Sequence, residues 1–355
     1  MNTQLKHIPL VIPSYEPDKR LIELIETLND YNDPIIIVND GSNDSYNSIF
    51  NSLKNKNLVI LKHNINKGKG RALKTAFEYI IKHYPSSIGC ITADSDGQHS
   101  YKSIMHVRES LIKNPDSLIM GVRTFDGDHI PWKSKAGNKI TIKVLSFLTG
   151  IRVSDTQTGL RGIPLKFMRE LIEVPGERFE FETQMLIESI DRYPIVEVPI
   201  ETIYDSKENH QSHFNPLKDS FKIYRILVKK FIKYLVSSLS SSVLDIVLFA
   251  LFCSLFKNSY PVWYASIATV SARLISAVYN YLINYILVFK SKEKVSKSAL
   301  RYFILAIVQM LCSTVLVQAG VFIFRSMEVL IKIIVDVFLF FCSYYIQNRF
   351  VFKKH

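Results

Sequence analysis

The chain has 355 residues, enough for about two domains, with 48% hydrophobic residues and a formal net charge of +12. That charge does not point to nucleic acid, because many of the basic residues gather beside apolar segments and no nucleic-acid-binding motif accompanies them. The four cysteines, Cys90, Cys253, Cys312 and Cys342, have neither metal nor disulfide spacing and read as core residues. No secretory leader is expected ahead of the first strand-like run.

From the N-terminus, short apolar runs alternate with helical patterns. Leu10 to Ile12 precedes a helix over Lys19 to Leu28, Ile35 to Val38 precedes one over Tyr46 to Leu53, and Leu58 to Leu61 precedes one over Gly70 to His83. Ile88 to Ala93 and Leu118 to Val122 extend the series. Such alternation predicts a mainly parallel sheet with helices on both faces. In open sheets of this type ligands bind beyond the carboxyl ends of the strands. Polar residues stand at those ends: Pro13-Ser14-Tyr15-Glu16 after the first strand, Asn39-Asp40-Gly41-Ser42 after the second, Asn66 to Arg71 after the third, Asp94 to His99 after the fourth, and Arg123 after the fifth.

The fourth of these turns is the most informative, because an apolar run ends there in two carboxylates one residue apart, Asp94 and Asp96. Where a strand runs into a turn, an Asp-x-Asp pair can converge on one ion. Mg²⁺ or Mn²⁺ held by the pair together with substrate phosphates would clamp a pyrophosphate leaving group. Read alone, the pair is equally a solvated acidic turn. Asp40 can accept two donors from a base or ribose. Lys69 and Arg71, in a glycine-rich turn opening a helix, suit phosphate, although Gly68-Lys69-Gly70 by itself is equally a plain helix start. Its spacing matches neither a P-loop nor a dinucleotide fingerprint.

The second half changes character. Pro216 to Tyr234 alternates basic and apolar residues and predicts an amphipathic helix on anionic lipid headgroups; a linker helix packed on its own domain is the alternative. Apolar segments then follow at Leu235 to Phe256, Val262 to Phe289, Tyr302 to Phe324 and Val329 to Phe352. Each reaches the roughly 20 residues that cross about 30 Å of hydrocarbon. Basic residues gather before the first span, between the second and third, and after the fourth, which predicts a cytoplasmic location for that side, for the soluble half and for both termini. Tyr281 to Lys290 lines up with Tyr344 to Lys353, so the spans read as two helix pairs in tandem. Arg273 and Asp336 are offset by the same spacing and are expected to form an ion pair within the membrane.

Taken together, Pro13 to Glu16, Asn39 to Ser42, Asn66 to Leu73, Asp94-Ser95-Asp96-Gly97-Gln98-His99, Gly121-Val122-Arg123 and Asp155-Thr156-Gln157-Thr158-Gly159-Leu160-Arg161 resemble the inverting glycosyltransferase family 2 with the GT-A fold, specifically its polyprenyl-phosphate branch, which includes dolichol-phosphate mannosyltransferase. The Gln-x-x-Arg-Trp of processive polysaccharide synthases is missing from the sequence. The spans resemble the GtrA family through Asp245, Arg273, Ser276, Asn280-Tyr281, Asn284 and Val288-Phe289.

The resemblance implies an α/β GT-A domain, Rossmann-like with a mainly parallel sheet, over 1–215, an interfacial helix over 216–234 and an all-α four-helix transmembrane domain over 235–355. It implies transfer of one sugar from a nucleotide-sugar, a UDP-hexose or UDP-N-acetylhexosamine, to undecaprenyl phosphate, with Mg²⁺ or Mn²⁺ as cofactor. The alternatives are a GDP-mannose-dependent transferase and a lipid-linked sugar flippase or scaffold with a non-catalytic nucleotide-binding domain; an assembly of identical chains is compatible with all three. Asp94, Asp96 and Gln98 are then expected on the metal, and Pro13, Tyr15, Glu16, Asp40, Lys69, Asp94 and Ser95 on the nucleotide. Arg123, Lys135 and Arg161 are expected on acceptor phosphate or pyrophosphate. Asp155 and Gln157 are expected to order the acceptor side, with Asp155 as base if one is needed, and residues 125–135 to form a closing loop. The chain departs from the family at Glu16-Pro17, where Asn-Glu is common after the tyrosine, and at Glu182 and Gln184, where mannosyltransferases commonly place Gln and Glu.

Overall fold

The structure, a computed structural model, describes residues 7–53, 55, 57–123, 132–156, 158–201, 216–324 and 328–352, with the side chains of 132–139, 216–220 and 324 outside the description. The chain divides into two compact units, Met1–Ser146 with Ile151–Ile226, and Phe147–Gly150 with Leu227–His355.

The first unit is built on seven strands: β1 (Leu10–Ser14), β2 (Ile35–Asn39), β3 (Leu58–Lys62), β4 (Gly89–Thr92), β5 (Leu118–Arg123), β6 (Arg161–Pro164) and β7 (Ile195–Ile200). Between them run α1 (Arg20–Thr27), α2 (Asn47–Ser52), α3 (Lys69–His83), α4 (Tyr101–Lys113), α5 (Trp132–Thr149), α6 (Leu165–Leu171) and α7 (Glu180–Ser189). The sheet order is β3-β2-β1-β4-β6-β5-β7. Every pairing is parallel except those of β6, which runs against both β4 and β5. All five residues of β1 and of β2 are buried, as expected of central strands covered on both faces.

The helices supply that cover with one face each. In α3 the buried Ala72, Leu73, Ala76, Phe77 and Ile80 fall on the three-and-four spacing of a helix, and Leu21, Leu24 and Ile25 of α1 join Val107 and Leu111 of α4 in the core. Strand direction decides where the polar turns gather. The parallel β1 to β4 end on one edge, as does β5, and β6 starts at that edge because it runs the other way. The Asp155–Arg161 stretch is thereby delivered beside the ends of β4 and β5. In sheet order the chain reverses its direction of winding between β1 and β4, the position where ligands bind in folds of this kind.

Among the described residues the second unit contains four long helices, α8 (Pro216–Phe256, which begins in the first unit), α9 (Tyr264–Ile283), α10 (Val295–Phe324) and α11 (Glu328–Ile346). The expected interfacial stretch and the first span therefore share one continuous helix. Among the described residues, three helices are long and apolar enough to cross a membrane: Phe221–Phe256, Val295–Ile323 and Glu328–Val351. The expectation of four spans is met for those three. The fourth helix, α9, is diluted by Ser266, Thr269, Ser271, Arg273, Ser276 and Asn280. Large apolar residues such as Ile246, Val315 and Phe338 point outward on this unit, as a lipid-facing surface requires.

The tandem repeat is visible in three dimensions. Both α9 and α11 end in one π-type turn, Asn284–Val288 and Gln347–Val351. Asn284 Nδ2 donates to Asn280 Oδ1 (2.8 Å), and at the matching place Gln347 Nε2 donates to Ser343 Oγ (3.0 Å). The two copies meet where Asn284 Nδ2 donates to Gln347 Oε1 (3.1 Å) and Phe289 stacks on Phe352 at 4.9 Å. The expected pairing of Arg273 with Asp336 is corrected by this arrangement. These residues occupy equivalent positions in the two copies, and each meets a nearer opposite charge within its own copy: Arg273 lies 3.5 Å from Asp245, and Asp336 lies 2.8 Å from Lys332 one helical turn away.

Candidate active site

Three strand-end turns are locked to one another. Glu16, in the left-handed region at φ +47°, donates its N–H to Ser42 Oγ (2.8 Å). Ser42 N–H in turn donates to Asn39 Oδ1 (2.9 Å). A Cβ on Gly41 would stand 2.1 Å from the carbonyl carbon of Ile65, so only glycine allows the second and third turns to touch. Pro13 is buried, with Tyr15 and Glu16 half-buried beside it. Burial, then the neighbouring Glu16, raises the Tyr15 phenol above its ordinary pKa.

Asp40, expected to face the base or ribose, is buried with both oxygens engaged inside the protein. It accepts the N–H groups of Lys67 (2.9 Å) and Gly68 (2.7 Å) and lies 2.6 Å from His63 Nδ1, whose Nε2 meets Thr75 Oγ1 at 3.0 Å. Its physical task is to fix the glycine-rich turn that opens α3. The glycines of that turn answer a close approach: a Cβ on Gly68 would meet the carbonyl oxygen of Glu177 at 2.5 Å, and one on Gly70 would meet Phe181 at 2.7 Å. Arg71, considered for phosphate, makes a two-pronged contact with Glu177, which Lys74 also reaches.

The carboxylates at the end of β4 lie beside this turn. Lys69 Nζ is 2.7 Å from Asp94 Oδ1 and 3.0 Å from Glu182 Oε1. His99 Nε2 lies 3.5 Å from Asp94 Oδ2. Burial pushes the Asp94 carboxyl up, but Lys69 and His99 outweigh it and hold the group far below the usual carboxylate range. Burial likewise opposes the charge on Lys69, and Asp94 and Glu182 overcome it, leaving the ammonium above its ordinary pKa. Asp96 is shifted the other way, raised by burial and by the charge of Asp94. The Gln98 N–H donates to Asp96 Oδ1 (3.1 Å), and Ser95 is half-buried between the two carboxylates.

The Asp155–Arg161 stretch closes the site. Asp155 is fully buried and accepts two bonds from the Arg123 guanidinium (2.7 and 3.0 Å). Arg161 is also buried: Nε donates to the Thr158 carbonyl (3.1 Å), Nη1 to the Glu182 carbonyl (2.8 Å), and Nη2 finds no partner among the described residues. Burial lowers its pKa. Gly159 packs against Asp94 so closely that a Cβ there would lie 2.3 Å from Asp94 Oδ2, and its carbonyl accepts from Thr92 Oγ1 (2.8 Å). Gln157, residues 125–131 of the expected loop and the Lys135 side chain lie outside the described residues.

The structure thus brings together Asp94, Asp96, Gln98, Lys69 and Arg161, pairs Arg123 with Asp155, and adds Glu177, His63, His99 and Gly159. Glu182 entered the sequence reading only as a departure from the family pattern; no spacing signal ties it to Lys69 across 113 residues. Asp94 and Asp96, the second raised by burial and then by the charge of the first, fit a divalent cation, which would relieve their repulsion. Among the described residues no three acidic, histidine or cysteine side chains form a ready metal cage. Mg²⁺ binds through one or two carboxylates and completes its shell with substrate phosphates and water, a donor set that Asp94 and Asp96 can begin.

Comparison with known proteins agrees with this architecture. Residues 10–171 match glycosyl transferase family 2, and residues 233–352 match the GtrA/DPMS transmembrane domain. The UDP-N-acetylglucosamine–dolichyl-phosphate N-acetylglucosaminyltransferase of Methanococcus voltae is 31% identical over 252 residues, covering 65% of this chain and 98% of the relative. An uncharacterized protein of Methanocaldococcus jannaschii is 27% identical over 229 residues, covering 62% of this chain and 91% of that protein. The solved structure of GalNAc-T7 with UDP, GalNAc and Mn²⁺ matches with a TM-score of 0.41 at 14% identity, over 68% of this chain and 52% of that one. The chain belongs to glycosyl transferase family 2, with a GT-A domain followed by a GtrA-type membrane domain.

Gly159→Ala tests the packing at Asp94. The added methyl must displace the carboxylate, and a shift near 1 Å at a reacting centre costs about 100-fold in rate. Sugar transfer by the purified variant is expected to fall by that order with the far-ultraviolet circular dichroism unchanged; full activity would mean that Asp94 tolerates displacement.

Proposed function

We propose that the chain transfers a single sugar from a UDP-linked donor, with N-acetylglucosamine first among the sugars, to the phosphate of a polyprenyl lipid at the cytoplasmic face of the membrane. Support for the donor and the lipid class comes from the archaeal relative, which is named for UDP-N-acetylglucosamine and dolichyl phosphate. Support for the side comes from the basic stretches flanking the membrane helices.

The observation that carries the reading is the meeting of Asp94 and Asp96 with the glycine-rich start of α3. In the reaction, an oxygen of the lipid phosphate forms a bond to the anomeric carbon as the bond from that carbon to the donor diphosphate breaks, inverting the centre and releasing UDP. A phosphate monoester has its second pKa near about 6 and is largely ionised at neutral pH. The attacking group needs little help from a base, which agrees with the commitment of Asp155 to Arg123. Orientation and stabilisation of the leaving group are the demanding tasks.

The positive end of the α3 dipole favours the diphosphate, with Lys69 beside it. Asp94 and Asp96, with Gln98 as a further ligand, would hold Mg²⁺ or Mn²⁺, which when bound supplies positive charge to the departing diphosphate. Asp40 acts by shaping the turn, while Pro13, Tyr15, Glu16 and Ser95 line the way to the nucleotide. Arg123, steadied by Asp155, offers a guanidinium to the lipid phosphate. Arg161, Lys135 and Gln157 complete the acceptor side.

A second reading, in which the membrane unit holds or moves the lipid-linked sugar, is favoured by one feature. Between α8, α9, α10 and α11 lies a cleft of about 290 Å³ lined by Ser241, Arg273, Ser276, Asn280, Tyr302 and Gln347 among others. Polar groups are costly within hydrocarbon unless they serve a ligand or one another. In vesicles made with labelled lipid-linked sugar on one leaflet, Asn280→Leu is expected to slow crossing at least fivefold; equal rates with and without protein would remove this reading.

The transferase is tested by incubating purified protein with undecaprenyl or dolichyl phosphate, Mn²⁺ and, in turn, labelled UDP-N-acetylglucosamine, UDP-glucose, UDP-galactose and GDP-mannose. Label is expected to enter lipid from a UDP-sugar and to fall at least 100-fold in Asp96→Asn. Transfer from GDP-mannose alone would reassign the donor, and no transfer from any donor would contradict the proposal.

A further inference from the structure

Lys69 is the first residue of α3, a place where a positive charge opposes the helix dipole. It stays there because two carboxylates grip it, Asp94 beyond the end of β4 at 2.7 Å and Glu182 of α7 at 3.0 and 3.1 Å. The ammonium occupies Oδ1 of Asp94, while Oδ2 faces His99 and the backbone at Gly159. Asp94 has little room to turn, so a cation reaching for it meets Lys69.

We propose that Lys69 is the resident counter-ion of the cation site: it holds Asp94 while the donor is absent, yields it to the divalent cation on loading, and passes to the donor diphosphate with Glu182 as its anchor. This rests on the Asp94–Asp96 cation reading and adds a competition to it. Cation alone must displace an ammonium that has nowhere better to go. Cation arriving with a diphosphate gives that ammonium a new anion, so each ligand raises the affinity for the other, as reciprocity requires. Glu182 sets the balance, because it shares Lys69 with Asp94. Remove the charge on Glu182 and Lys69 binds Asp94 more tightly; remove the charge on Lys69 and Asp94 is open.

The two substitutions therefore move cation affinity in opposite directions, and the counter-ion role is read in the extra gain brought by UDP, which a fixed ion pair would leave unchanged in Lys69→Met. Mn²⁺ binding to the full-length purified protein is measured by electron paramagnetic resonance without and then with UDP, in wild type, Lys69→Met, Glu182→Gln and Asp96→Asn, with thermal unfolding of each recorded alongside. Loss of one unit charge beside a divalent ion is expected to tighten binding about tenfold in Lys69→Met and to reduce the further gain brought by UDP. Glu182→Gln is expected to weaken binding about threefold to tenfold on the same grounds. Should Lys69→Met fail to fold, Glu182→Gln decides by itself, because unchanged or tighter binding there overturns the proposal. Binding in wild type that is lost in Asp96→Asn yet unchanged or weaker in Lys69→Met overturns the counter-ion and leaves the cation site standing. No Mn²⁺ binding in any form overturns both.

Discussion

A carboxylate charge at the end of a buried strand has to be matched by nearby positive charge and hydrogen bonds, and the site is organised around meeting that demand for Asp94. Its side chain keeps 30% exposure, so water meets part of that demand and the protein the rest. Lys69 answers it directly, Glu182 balances Lys69, and the Glu182 carbonyl accepts from Arg161, which is itself buried. Through these contacts β4, α3, α7 and the start of β6 are bound into one arrangement. Gly159 is the steric counterpart, since a side chain at that position would claim the space that Asp94 fills. The same logic recurs at Asp40, whose oxygens gather two backbone N–H groups and a histidine and so decide the shape of the turn where α3 begins.

Much of this was legible in the amino-acid sequence because the first five strands follow one another as apolar runs ending in polar turns. β1 to β5 fall within a residue or two of their expected bounds, and the site motifs lie at the predicted edge. What the sequence could not disclose was contact across distance. β6, only Arg161–Pro164, is too short to show a period, and its reversed direction emerges from pairing with β4 and β5. Glu182 lies at the start of a helix with no distinguishing pattern. Asp40 reads in sequence as a partner for base or ribose because it lies in a polar turn, yet it is buried, and the close approach permitted by Gly41 brings its turn against the next one.

The membrane unit offers the converse lesson. Its repeat was visible as aligned residues, and from that alignment Arg273 and Asp336 were expected to meet. In the folded pair of copies, equivalent positions are related to each other instead of touching, except near the junction, where Asn284 meets Gln347 and Phe289 meets Phe352. Amide and aromatic contacts at that junction hold the two copies without a buried ion pair. The ionisable residues are left to shorter-range partners, Asp245 for Arg273 and Lys332 for Asp336.

The place where the donor diphosphate and its cation are held decides the proposed reaction. A crystal or cryo-electron microscopy structure with UDP and Mn²⁺ settles it most directly, with the anomalous signal of manganese locating the ion in the crystal. Manganese is expected at Asp94 and Asp96 beside the diphosphate, with the phosphates at the N-terminus of α3 and Lys69 turned toward them. Manganese remote from both Asp94 and Asp96, or a diphosphate bound away from α3, would contradict it.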